Sequence, residues 1–109
     1  MEIKNRRLDA SQVVSISGRL DAVTAPTLDT HCKKLIEQGE RELILDFKDL
    51  EYLSSAGLRS ILSVAKAIGT VGGKVALANA HGVVREVFEI SGFLGMFRII
   101  DSLDTSAAT

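Results

Sequence analysis

Two adjacent hydroxyls, Ser54 and Ser55, stand where the apolar pair Tyr52-Leu53 gives way to the most regular helical pattern in the chain. From Leu58 the apolar residues recur at Ile61, Leu62, Ala65, Ile68 and Gly69, with Arg59, Ser60, Ser63, Lys66 and Thr70 on the other side, which predicts an amphipathic helix over about 55–71. With Ser54 as the N-cap, Leu53 lies one residue before it and Leu58 four after it, the spacing of a hydrophobic staple. Ser54 is then occupied by capping and Ser55 is left free at the first helical position. There the backbone N–H groups have no intrahelical partner and the local field is positive. An exposed hydroxyl at that point can take a phosphate without melting the helix. The alternative is that both serines serve only as capping chemistry.

Other reactive residues have poorer spacing. Gly69-Thr70-Val71-Gly72-Gly73-Lys74 is one residue short of a phosphate-binding loop, has Val75 where Ser or Thr should hold magnesium, and runs from helix to strand. A helix stop followed by a turn accounts for it. Asp46, Asp49 and Glu51 cluster at a strand end, as in a phospho-accepting or magnesium-binding site, but no acidic pair or partner lysine accompanies them. They read as solvated turn carboxylates. His31 and Cys32 are neighbours on one helix and point about 100° apart, so they cannot chelate one metal in the usual way. Cys32 falls in an apolar stripe and reads as a small core residue. No serine sits in a nucleophile elbow and neither histidine is placed as a base, so catalysis is not expected. What remains is Ser55, flanked by Ala56, Gly57 and Leu58, which leave room for close approach of a partner surface, together with the loop around Asp21.

The elements that must position these residues follow from periodicity. Residues 2–8 and 12–18 read as two strands of a hairpin joined by Asp9-Ala10-Ser11, with Val14 and Ile16 on one face. Gly18 to Pro26 is a loop ending in a helix start, with Thr24 as cap, Pro26 in the first turn, and Val23 and Leu28 at staple spacing. The helix over about 25–38 carries Leu28, Cys32, Leu35 and Ile36 inward and stops at Gly39. Residues 42–47 hold a continuous apolar run typical of a central strand, and the strand-helix-strand order favours parallel pairing. Gly72-Gly73 ends the second helix, Lys74 to Ala78 is a further strand, 82–91 is a helix with Val84, Val87 and Phe88 inward and Gly92 as its cap, and Phe97 to Ile100 is a last extended segment. The expected architecture is a single α/β domain, a mixed sheet of four to five strands with three to four helices, its core over about 3–103 and a frayed tail at 104–109.

Composition sets outer bounds. A chain of 109 residues that is 46% hydrophobic and 25% charged is an ordinary globule able to bury a core without staples. A net charge of -1, with no basic cluster, argues against nucleic acid as a partner. One cysteine cannot close an internal disulfide, the N-terminus has no apolar run behind its charges, and no stretch is long enough to span a membrane, so the cytoplasm is the expected location.

Four ordered segments carry a family resemblance: Gly18-Arg19-Leu20-Asp21-Ala22-Val23-Thr24-Ala25, Leu43 to Leu50, Tyr52-Leu53-Ser54-Ser55-Ala56-Gly57-Leu58, and Val87-Phe88-Glu89-Ile90-Ser91-Gly92-Phe93. In order and spacing they resemble the STAS domain of bacterial anti-sigma factor antagonists over nearly the whole chain. The resemblance implies a STAS-like fold and a partner-switching protein without cofactor. Unphosphorylated, such a protein binds a serine/threonine kinase that doubles as an anti-sigma factor, and so frees the sigma factor. Phosphorylation by that kinase ends the binding, and a PP2C-type phosphatase restores it. The phosphoserine of such proteins is the first serine of an Asp-Ser-Ser/Thr-Gly-Leu motif, which maps onto Ser55, with Ser54 standing in place of the aspartate and Ala56 in place of the second hydroxyl. Asp21 and Thr24, on the matching loop, become candidate partner contacts with Ser54, Ala56, Gly57 and Leu58; their plainer roles are turn acid and helix cap. The alternative within the same fold is a non-catalytic ligand-sensing or scaffold module of a larger signalling assembly.

Overall fold

In the computed structural model, which describes residues 1–103, the chain runs β1 (Glu2–Leu8), β2 (Ser11–Leu20), α1 (Ala25–Glu37), β3 (Glu42–Asp46), β4 (Leu50–Leu53), α2 (Ser55–Gly69), β5 (Lys74–Ala78), α3 (Gly82–Ser91), α4 (Phe93–Met96) and β6 (Arg98–Ile100). The tail expected to fray, 104–109, lies outside the described residues. One mixed sheet has the order β1-β2-β3-β5-β6, with β4 paired to β2 off that path.

The hairpin forms as expected, with Leu8 opposite Ser11 and the turn closed by Asp9 at φ 54°. β2 is longer than its apolar alternation suggests and works in two halves. Gln12 to Ser15 run parallel to Leu43–Asp46 of β3; after a register shift at Gly18, Arg19 and Leu20 pair with Tyr52 and Leu53 of β4. The pivot is a glycine with φ 87°, a backbone state that L side chains rarely adopt. β4 is the strand that periodicity did not separate from the turn. Only four residues long, it buries its two ends, Leu50 and Leu53, and exposes Glu51 and Tyr52, so it shows neither alternation nor a continuous run.

The core lies between the sheet and the helices. Val14, Ile16, Leu43, Leu45 and Leu77 project from the sheet into it, and Leu28, Cys32, Ile61, Val64 and Ile68 come from α1 and α2. α3 closes the far end through Phe88, whose ring meets Phe47 edge-on at 5.2 Å and lies parallel to Phe93 at 5.7 Å. Such aromatic contacts add to plain burial. Cys32 is fully buried, as expected of a core residue, and burial pushes its thiol up to about 12. The one-turn α4 was not foreseen; Gly92, at φ 82°, ends α3 in the left-handed state and starts α4 at once.

Two helix readings change. α2 is rotated from the expected stripe: Gly57, Ser60, Ile61, Val64 and Ile68 are buried, Leu58, Leu62 and Ala65 are flanking and half-buried, and Gly69 is exposed. Ser60 can turn inward because its hydroxyl donates to the Gly57 carbonyl at 2.7 Å, which satisfies it locally. The staple expected from Val23 does not form, since Val23 is 85% exposed while Leu28 is fully buried.

Asp46 also departs from its reading as a solvated turn acid. It is buried at the end of β3, where its carboxylate accepts from the Ser15 hydroxyl at 3.2 Å, the Lys48 N–H at 3.0 Å and the Asn79 amide at 2.8 Å. A buried carboxylate must be satisfied in this way. Asp49 and Glu51 are exposed as expected.

Candidate functional site

The carboxyl ends of β2 and β4 lie side by side, and the Ser54 N–H donates to the Leu20 carbonyl at 3.0 Å. That bond sets the loop after β2, residues 21–24, against the start of α2. Ser54 is the N-cap, with extended backbone at φ -96° and ψ 173°, and its hydroxyl accepts from the Gly57 N–H at 3.2 Å. Leu53 is buried and Leu58 is half-buried against the core. Ser55 is the first helical residue and is exposed; among the described residues its hydroxyl takes no hydrogen bond. A solvent-facing hydroxyl therefore sits beside the unpaired first N–H groups of a helix of 15 residues, at the positive end of its dipole.

Gly57, expected on the partner-facing surface, is instead buried. A methyl group placed on it would lie 2.8 Å from the Leu20 carbonyl oxygen and 2.7 Å from Leu53 Cδ1. Its small size is used inside the chain, to let α2 begin against the end of β2. Ser54, Ala56 and Leu58 are half-buried and Ser55 is exposed, so these four form the accessible rim.

Asp21 organises the neighbouring loop. One carboxylate oxygen accepts from the Val23 and Thr24 N–H groups at 3.0 and 3.1 Å, and the Asp21 carbonyl accepts from Ala25 N–H at 2.8 Å. The Thr24 N–H first of all, then the Val23 N–H, the Thr24 hydroxyl and the Arg19 charge, hold this carboxyl below its ordinary value and together outweigh the opposing effect of desolvation. Thr24 occupies the N-cap position of α1 but caps nothing with its side chain. Its hydroxyl donates to the Arg19 carbonyl at 2.8 Å and accepts from the Asp21 N–H at 2.9 Å, so it ties the loop to β2 instead. Asp21 and Thr24 thus make the loop rigid.

Periodicity missed one pair at this site. Arg19 and Tyr52 are register partners on β2 and β4, and the guanidinium carbon lies 4.1 Å from the centre of the tyrosine ring. Tyr52 is 37% exposed, and Arg19 Nε lies 3.8 Å from the free carboxylate oxygen of Asp21. Only knowledge that β4 pairs with β2 could have brought the two together.

The histidines are engaged elsewhere: His31 Nε2 lies 2.7 Å from Asn5 Oδ1, and His81 Nε2 lies 2.7 Å from the Lys48 carbonyl. Among the described residues no three His, Cys, Asp or Glu side chains come together in a metal-binding group, and no helix is long and apolar enough to cross a membrane.

A mixed sheet, parallel apart from its β1–β2 hairpin, with a hydrogen-bonded loop and a serine-capped helix at one end, is the architecture of a signalling domain rather than of a metal or nucleotide site. The chain belongs to the STAS domain family, whose profile matches residues 2–106. Within that family it is 37% identical over 108 residues, 99% of this chain and 93% of the other, to BtrV of Bordetella bronchiseptica, a candidate anti-sigma factor antagonist. Among solved structures, an anti-sigma factor antagonist from Mycobacterium paratuberculosis superposes with a TM-score of 0.84 at 26% identity, covering 98% of this chain and 92% of that one. The Bacillus cell fate determinant SpoIIAA in its phosphorylated form has the same fold, with a TM-score of 0.75 at 24% identity over 97% of this chain and 96% of that one.

Proposed function

We propose that this chain is an anti-sigma factor antagonist that works by partner switching, with Ser55 as its phosphoacceptor. Unphosphorylated, it binds a serine/threonine kinase that doubles as an anti-sigma factor and so releases the sigma factor. The kinase then transfers the γ-phosphoryl group of ATP: the Ser55 oxygen forms the new P–O bond, the bond to the β-phosphate oxygen breaks, ADP leaves, and the hydroxyl proton passes to the kinase's base. A PP2C-type phosphatase hydrolyses the phosphoserine and restores binding.

The observation that carries this reading is the exposed Ser55 hydroxyl at the first position of α2, with Ser54 already supplying the cap. The likeness to an anti-sigma factor antagonist of Bordetella bronchiseptica supports this reading, and SpoIIAA, solved both unphosphorylated and phosphorylated, shares the fold. Phosphate adds about -1.5 to -2 charge and three acceptor oxygens. Free N–H groups at the helix start accommodate it, whereas a dry interface formed over Ala56 and Leu58 does not. Binding falls while the fold stays.

The test is incubation with a purified anti-sigma factor serine/threonine kinase of the same organism and ATP, followed by mass spectrometry. One phosphate on Ser55, absent in Ser55→Ala and removed by a PP2C-type phosphatase, is the expected outcome. Ser55→Asp weakens kinase binding at least about tenfold, or about 1.4 kcal/mol, with an unchanged melting temperature. Absence of both phosphotransfer and a kinase complex would instead favour the ligand-sensing or scaffold role.

A further inference from the structure

We propose that Arg19, held over the ring of Tyr52, selects the partner by receiving a surface carboxylate of the kinase; this rests on the partner-switching reading above. The pair bridges the two loops of the site. Arg19 lies two residues before Asp21 and Tyr52 three before Ser55, on strands joined in register. The guanidinium carbon lies over the ring, 4.1 Å from its centre, and Nε lies 3.8 Å from the Asp21 carboxylate. Its two terminal nitrogens make no hydrogen bond among the described residues, and its side chain is 61% exposed. Asp21 holds it loosely, because the ion pair is long and solvated.

A free arginine loses much side-chain entropy when it docks, whereas one already stacked and steered loses less. What it offers is a planar fork of two N–H donors, the shape that matches a carboxylate and not a backbone carbonyl. Exposed tyrosine and arginine are also the residue types that dominate binding energy where they lie at an interface. Beside it the accessible residues Ser54, Ser55, Ala56, Leu58 and the exposed Val23 carry no charge, and the charge that faces the guanidinium is the Asp21 carboxylate. A partner fits if it sets an acidic side chain beside an apolar patch. A partner with a basic group at that point meets Arg19 and is rejected.

Calorimetry of the unphosphorylated protein with the purified anti-sigma factor kinase of the phosphorylation test, at about 50 and 300 mM salt, tests this. Arg19→Ala is expected to raise the Kd about tenfold or more and to flatten its salt dependence, while Lys4→Ala, the same charge change on the outer hairpin strand, does neither. Arg19→Lys recovers only a small part, since an ammonium cannot present the fork. Tyr52→Phe keeps the stack and the affinity, and Tyr52→Ala loses part of both. In the phosphorylation reaction Arg19→Ala raises KM and leaves kcat unchanged, a split that a merely structural role would not produce. Wild-type affinity in a folded Arg19→Ala or Arg19→Gln variant overturns the proposal, as does full recovery by Arg19→Lys. Failure of the folded wild-type protein to bind the kinase overturns the partner-switching reading itself.

Discussion

Ser54 and Ser55 are the same residue type one position apart, yet the helix start divides their roles. Ser54 accepts from the Gly57 N–H and has extended backbone; Ser55 is helical and faces solvent. Loss of the Ser54 hydroxyl leaves an N–H at the helix start without its acceptor. Ser54→Ala is therefore expected to lower unfolding free energy by about 1 kcal/mol, and Ser55→Ala by no more than a few tenths, as measured by urea denaturation. Equal losses in the two variants would mean that both serines serve the cap. Spacing offered this division, because capping depends on residues only three or four apart, but left both serines as capping chemistry as the alternative. Asp21 and Thr24 were read less completely, since the Thr24 hydroxyl bonds to the Arg19 carbonyl and not to its own helix.

At the scale of elements, the fit between α2 and the end of β2 sets the geometry of the site. Gly57 is the contact point, and a side chain there meets the Leu20 carbonyl, which as backbone cannot easily give way. Gly57→Ala is expected to destabilise the protein by about 1–3 kcal/mol and to impair phosphotransfer to Ser55 by shifting the helix start, read by urea midpoint and by initial rate. A variant as stable as wild type would show that the helix can slide. The same packing explains the rotation of α2 away from its hydropathy stripe. Hydropathy ranks Ser60 as outward and Leu62 as inward, but the small residues Gly57 and Ser60 allow the closest approach to the strands, so Leu58 and Leu62 move to the flanks. Side-chain volume, not polarity, decided the buried face.

Across the whole molecule, acid should loosen the structure at identifiable points. Asp21, held down chiefly by the Thr24 N–H, and Glu40, held down chiefly by its hydrogen bond to Arg7, both have carboxyls lowered from ordinary values of 3.8 and 4.5. A carboxyl lowered by folding contributes stability that is fully present above its ordinary value and is lost as pH falls through the lowered one. His31 acts earlier: burial disfavours its charged form, so the unfolded chain takes up that proton more readily below about the ordinary value of 6.5. The urea midpoint is thus expected to fall from about pH 6.5 downward and more steeply below about pH 4. Asp21→Asn and Glu40→Gln should each flatten the steeper part, and an unchanged slope in both would overturn the assignment.

Local pattern was enough for the hairpin, for α1, β3, β5 and α3 within a residue or two, and for the serine that faces solvent, because propensity, capping and periodicity act between residues close in the chain. The family motifs were legible only by resemblance, as four short segments in the order and spacing of a known family. What tertiary structure alone decided is everything that joins distant segments: β2 shared between β3 and β4, Asp46 drawn inward by Ser15 and Asn79, Gly57 pressed on Leu20, and Arg19 laid on Tyr52. These depend on which strand lies beside which and on how closely a helix can approach, and neither is encoded in the periodicity of any one segment.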